Sequence, residues 1–96
     1  NVEDKIFNYI QEILDATRRA SDILVGASPR AGIALILYGK ALAAMRGREF
    51  VIPDDIKDLA LPVLRHRVLL RPETEIEGLS ADRVLRGILQ DQVVPR

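Results

Sequence analysis

Apolar residues recur at helical spacing from the start of the chain. Val2, Ile6, Ile10, Ile13, Leu14 and Thr17 follow an i, i+3, i+4 template with Phe7 at its flank, which predicts an amphipathic helix over residues 1–19. Asn1 is placed to cap it, Glu3 and Asp4 fall in its first turn, and Arg18 and Arg19 in its last. Each choice suits the helix dipole. Asp15 and Arg19 have i, i+4 spacing, an ion pair worth ~0.3 kcal/mol. Each Ile or Leu of the stripe contributes roughly 1.5–3 kcal/mol if buried against a partner.

A different pattern follows in Ser28–Arg46. From Ala31 to Met45 the only charge is Lys40. Ile33, Leu35, Ile36, Leu37, Leu42 and Met45 point in several directions around a helical wheel. A helix apolar all round is expected to be buried, and this one is too short and too glycine-rich to span a bilayer. It therefore reads as the central helix of a small soluble bundle. Ser28 is a good cap whose hydroxyl can accept a first-turn N–H, and Pro29 fits the first helical position. Gly47 is a natural left-handed terminator, with Arg46 near the negative end of the dipole.

The remaining elements are shorter. Residues 20–27 read as a connector in which Ile23–Val25 pack a loop and Gly26 loosens the backbone. Phe50–Ile52 favour an extended conformation. Pro53-Asp54-Asp55 opens a third helix whose apolar face is Ile56, Leu59, Ala60, Val63 and Leu64. Pro62 is expected to kink or divide it. Val68–Leu70 is a second extended run, expected to pair with Phe50–Ile52. Residues 71–79 read as a loop. Ser80 caps a last helix to about Gln90, faced by Ala81, Val84, Leu85, Ile88 and Leu89, with Leu79 and Val84 at staple spacing. The fold class expected is mainly α: a single domain over 1–96, a four-helix bundle with a minor two-stranded β pairing.

Composition narrows the functions. The chain has 96 residues, 14 basic and 14 acidic, and no cysteine. Disulfides and thiolate metal or redox sites are excluded, a reducing compartment is allowed, and the location expected is cytoplasmic. Charge is uneven: residues 28–72 carry eight basic and four acidic groups, while both flanks are mildly acidic. Arg46, Arg48, Arg65, Arg67 and Arg71 form a conceivable basic patch, but no aromatic is interleaved with them for base stacking. The opening at Asn1, without an initiator Met, suggests a piece of a longer protein.

Catalytic chemistry is sparse. His66 stands between two arginines at a helix end and reads as a helix-terminal cation or packing residue. A metal site is unsupported without Cys or a second His. Asp54, Asp55 and Asp58 are explained by capping a helix start. Glu73, Glu75 and Glu77 read as solvated, their alternate spacing offering at most a weak cation site. Gly39-Lys40 is followed by Ala41, and Ala34 stands where a phosphate loop of the G-x-x-x-x-G-K-[ST] type has its first glycine. Gly26–Arg30 is the one stretch with two readings. A helix N-terminus with an arginine beyond its proline favours an anion, phosphate above all; the same residues also make an ordinary capped helix with an exposed arginine.

Several segments together resemble the C-terminal helical lid subdomain of MoxR-type AAA+ ATPases. They are GASPRA (Gly26–Ala31), KALAAMRGR (Lys40–Arg48), FVIPDDIK (Phe50–Lys57), ALPVLRHR (Ala60–Arg67) and EGLSADRVL (Glu77–Leu85), in family order over nearly the whole chain. The resemblance implies a nucleotide-binding α/β core ahead of Asn1, which carries the phosphate loop, the magnesium-binding carboxylates and the arginine finger. ATP and Mg2+ would then be bound by the parent protein and not by this piece alone, which would be inert. Arg30 looks like the sensor 2 residue that reaches the ATP γ-phosphate, with Ser28 and Pro29 holding it in place. The family further implies rings, usually hexameric, chaperone-like remodelling, and partners with von Willebrand factor A domains. It implies neither nucleic acid nor membrane insertion. One departure is Ile52, where a small capping residue such as Thr is expected; Asp54 or Asp55 can compensate. The lid reading predicts an exposed Arg30 and an exposed apolar patch. The competing reading is a self-contained helical interaction or DNA-binding module, which needs a solvent-facing recognition helix; the central helix offers it only Lys40.

Overall fold

The computed structural model describes residues 2–95, with side chains from Asp4 onward. The expected Asn1 cap and the side chains of Val2 and Glu3 lie outside the described residues. The elements are α1 (Val2–Arg19), β1 (Ile23–Val25), α2 (Pro29–Met45), α3 (Pro53–Leu64), β2 (Leu69–Leu70), α4 (Pro72–Ile76) and α5 (Ala81–Asp91). The body is elongated, 44 × 22 × 21 Å.

The core forms where the apolar stripes of α1, α3 and α5 meet the inner line of α2. Ile6, Ile10, Ile13 and Leu14 of α1 pack with Leu35 of α2, Ile56 and Leu64 of α3, and Leu85 of α5. The inner line of α2 is Ala31, Leu35, Gly39 and Ala43, spaced by four residues and built mostly of small side chains. Close approach follows: a Cβ on Gly39 would stand 2.9 Å from Ile56 Cδ1. The expectation that α2 is buried all round is therefore corrected. Leu35 faces this core and Ile36 packs against it, but Ile33 and Leu37, each 61% exposed, and Met45, 83% exposed, point away from it.

Helix ends follow residue chemistry. At the end of α2, Gly47 takes φ +80°. The N–H of Arg48 donates to the Ala43 carbonyl at 2.9 Å, and that of Gly47 to Ala44 at 3.0 Å. This is the paired 6→1 and 5→2 bonding of a Schellman motif. Ser80 caps α5 as expected, its hydroxyl accepting from the Arg83 N–H at 3.2 Å. Pro62 does not divide α3, which runs on to Leu64. The proline sits in the last turn, where a single hydrogen bond is forgone.

Three further expectations are corrected. Residues 71–79 contain a fifth helix, α4, rather than only loop. Pro72 stands at its first position with Glu73 and Glu75 in the first turn, and Gly78 at φ +89° closes it with a second Schellman pair, Leu79 N–H to Thr74 and Gly78 N–H to Glu75. Val68–Leu70 does not pair with Phe50–Ile52. β2 pairs antiparallel with β1, so that Ile23–Val25 form a strand and not a packed loop; Ile23 faces Leu70 and Val25 faces Leu69, with an irregularity between. The backbone of 50–52 is engaged elsewhere: the Phe50 carbonyl accepts from Arg48 and the Ile52 N–H donates to Asp55. The β2 side is drawn to β1 by Arg71, whose N–H donates to the Asp22 carbonyl at 3.0 Å and whose Nε donates to the Ser21 carbonyl at 2.9 Å.

Candidate functional site

The start of α2 is positioned by the last turn of α1. The Thr17 hydroxyl is buried, donates to the Leu14 carbonyl at 2.6 Å and accepts the Ala27 N–H at 3.0 Å. Arg18 Nε donates to the Ala27 carbonyl at 2.9 Å. Arg18 also takes the ion pair expected of Arg19, its Nη1 lying 3.1 Å from Asp15. The carbonyl of Ala27 holds the Arg18 head on that side of the helix. Gly26 does not loosen the chain but lets it lie against α1: a Cβ there would fall 2.7 Å from the Arg18 Cα.

From this clamp the chain enters α2 through Ser28 and Pro29. Ser28 occupies the N-cap with extended backbone, but its hydroxyl makes no capping hydrogen bond, contrary to expectation. Pro29 has no donor, and the Ala31 N–H bonds back to the Ser28 carbonyl at 3.0 Å. With Pro29 lacking a donor and the Ala31 N–H turned back to Ser28, the exposed charge at this helix start is the Arg30 guanidinium. Arg30 is exposed, and among the described residues nothing pairs with it.

An apolar groove of about 340 Å³ adjoins this point, between α1 and α2. Phe7, Leu14, Pro29, Ile33, Ile36 and Leu37 are among its walls. Phe7, Ile33 and Leu37 are each more than half exposed. Arg30, Ile33 and Leu37 are spaced i, i+3, i+7 and so share one face of α2, which puts the guanidinium at the end of an apolar strip. The sequence marks Arg30 and implies a patch, but does not locate it. The i, i+3, i+4 template of α1 assigns Phe7 only to a flank, and the all-round apolar pattern of α2 counts Ile33 and Leu37 as buried.

The other candidate groups are placed apart from this face. Asp55 is fully buried, with Arg46 and Arg48 on its oxygens and the Ile52 N–H donating to it at 2.9 Å. It thus supplies the N3 half of a capping box, accepting the N–H of Ile52, whose own side chain has no acceptor to give back. The Arg48 hydrogen bonds contribute most to holding Asp55 down at a pKa of about 2, with the Ile52 N–H and Arg46 adding to them. Arg46 also pairs with Asp58 at 2.9 Å, instead of simply facing the helix dipole. Arg65 pairs with Asp82, and Arg67 and Arg71 donate to backbone carbonyls. The supposed basic patch is therefore largely engaged inside the domain. Asp54, His66, Glu73, Glu75 and Glu77 are exposed, and among the described residues no cluster of three His, Cys, Asp or Glu could hold a metal ion. Tyr9 is buried with no partner for its hydroxyl among the described residues; burial, then the Asp54 charge, push its pKa up. Among the described residues no helix is long and apolar enough to cross a membrane.

Known proteins share this architecture. The sequence profile of the AAA lid domain matches residues 15–88. The uncharacterized protein YeaC of Bacillus subtilis is 42% identical over 97% of the chain, and chaperone MoxR1 of Mycobacterium tuberculosis 31% identical over 99%. A crystal structure of a protein from Cytophaga hutchinsonii, put forward as an ATPase, superposes with a TM-score of 0.90 at 36% identity over 97% of the chain. The chain spans 29%, 28% and 31% of these three proteins respectively, less than a third of each. With its helical architecture and its GASPRA helix start, the chain belongs to the AAA lid domain family and corresponds to the lid region of a MoxR-type AAA+ ATPase.

Proposed function

We propose that this domain is the lid that closes over ATP held by a nucleotide-binding core of the same polypeptide, with Arg30 as the sensor of the γ-phosphate. The observation that carries the reading is the shared face of α2: the Arg30 guanidinium, unpaired among the described residues, then Ile33 and Leu37 along an open apolar groove. The groove supplies a surface for the core to cover, and the arginine a charge for the anion that core would present. Ser28 and Pro29 belong to the same nucleotide-binding group, setting the direction of the helix start and holding Arg30 in place. The phosphate loop and the magnesium ligands belong to the core. When bound, the nucleotide supplies the phosphoanhydride bond; Arg30 would stabilise the negative charge that develops as it breaks. Lid movement as a rigid body would report nucleotide state to the neighbouring subunits of a ring, in keeping with chaperone-like remodelling. Partners with von Willebrand factor A domains and a hexameric ring belong to the same proposal.

The test is ATP hydrolysis by the full-length protein with native Arg30 and with Arg30→Ala, alongside nucleotide affinity and circular dichroism. A fall in turnover of roughly 10–100-fold with the fold intact supports the reading. Unchanged turnover and affinity reduce Ser28-Pro29-Arg30 to a helix start.

A further inference from the structure

The connection entering α2 is held more tightly than a linker requires. Ala27 is buried, and both of its backbone polar groups are bonded to consecutive residues of α1: its N–H to Thr17 Oγ1 and its carbonyl to Arg18 Nε. Thr17 is fixed in turn by its bond to the Leu14 carbonyl, and Arg18 by Asp15, which also accepts from the Gln11 amide at 2.9 Å. Gly26 lies against the Arg18 backbone with no room for a Cβ. Only Ser28 and Pro29 separate this clamp from Arg30, and the proline ring restricts φ at one of them. The position of the Arg30 backbone is therefore set by the last turn of α1.

A charged group that stabilises a transition state must be held to a fraction of an ångström. We infer that Thr17 and Arg18 are positioning residues for Arg30: by gripping Ala27 they fix where its guanidinium stands against the nucleotide. The inference rests on the lid reading above and adds to it a device on α1, outside the GASPRA stretch. It differs from a purely structural role in one consequence. If the clamp acts through Arg30, removing Arg30 removes its effect as well.

Thr17→Val and Arg18→Met in the full-length ATPase test this, each alone and each combined with Arg30→Ala, with kcat, KM for ATP and Tm measured. Thr17→Val removes both hydroxyl bonds at constant shape. Arg18→Met loses the carbonyl contact at a partly exposed position, and carries the test if Thr17→Val fails to fold. The expected result is a loss in kcat of roughly 10-fold for each single variant. Thr17→Ser should restore it, and neither change should lower kcat further on the Arg30→Ala background. Losses that multiply on that background overturn the inference, as does native kcat in both single variants when Arg30→Ala is impaired. Native turnover in Arg30→Ala itself overturns the lid reading, and the inference falls with it.

Discussion

Arg48 Nη2 lies 2.6 Å from Oδ1 of Asp55, a carboxylate with no exposure to solvent. The second guanidinium nitrogen reaches Oδ2 at 2.7 Å, so the pair is bidentate. Arg46 Nη1 adds a contact of 3.0 Å to Oδ1, and the Ile52 N–H one of 2.9 Å to Oδ2. Arg46 and Arg48 flank Gly47 at the end of α2, while Asp55 is in the first turn of α3. This charge cluster ties the end of α2 to the start of α3.

Removing the shared carboxylate should be costly. Asp55→Asn leaves two arginines facing an amide and is expected to destabilise the domain by about 3 kcal/mol. For a domain of this size that is a fall in Tm of roughly 10–20 °C. Asp58→Asn, which breaks only the exposed contact of Arg46, should cost under about 1 kcal/mol. Thermal unfolding of the two variants side by side checks the contrast. Equal losses would mean that burial of Asp55 contributes nothing special.

The same cluster gives stability an acid limit. The folded pKa of Asp55, about 2, is depressed below its ordinary value of 3.8. The stabilisation is therefore fully present above 3.8 and is lost as pH falls from there towards 2. Denaturant unfolding between pH 5 and 2 should show a steep decline in that window for the native chain. Asp55→Asn should start lower and decline less. Parallel curves would assign the acid sensitivity to other carboxylates.

Most of this fold is legible in the residues. The i, i+3, i+4 stripes of α1, α3 and α5 can be read directly, and Pro53 and Ser80 mark the starts of α3 and α5 and Gly47 the end of α2, all close to expectation. The errors are tertiary. A wheel of α2 shows apolar residues all round, and nothing local says that Ala31, Gly39 and Ala43 face inward while Ile33, Leu37 and Met45 face out. Only the close approach of α3, permitted by Gly39, decides it. The strand partners are likewise set by contacts across about fifty residues, such as Arg71 to Ser21 and Thr74 to Asp22. The proposed role of Arg30 is legible because a motif marks it. Those of Thr17 and Arg18 are not, because one residue looks like part of an apolar stripe and the other like a helix-end cation.

Two glycines should respond to alanine with opposite signs. Gly87 lies inside α5, and a Cβ added there would meet nothing within 4 Å; Gly87→Ala should stabilise the domain by about 1 kcal/mol through helix propensity alone. At Gly26 a methyl group meets the Arg18 backbone, which cannot rotate aside. Gly26→Ala should destabilise by about 1–3 kcal/mol. Chemical denaturation of both variants measures this, and a neutral Gly26→Ala would show that the contact with α1 yields readily.

The groove offers the sharpest separation between stability and function. Ile33 and Leu37 are mostly exposed and their side chains add little to this domain's own core. Ile33→Gln and Leu37→Gln should therefore change the stability of the isolated domain by no more than about 0.5 kcal/mol. In the full-length protein the same changes place amides where the proposed core surface must be covered. An amide buried without a partner costs roughly 1–3 kcal/mol, so the closed state should be depopulated and ATP turnover should fall by roughly 5- to 100-fold. Measuring Tm on the domain and turnover on the whole protein tests both halves. Native turnover with both substitutions combined would show that the core docks elsewhere, and the groove would lose its part in the lid reading even if Arg30 kept its own.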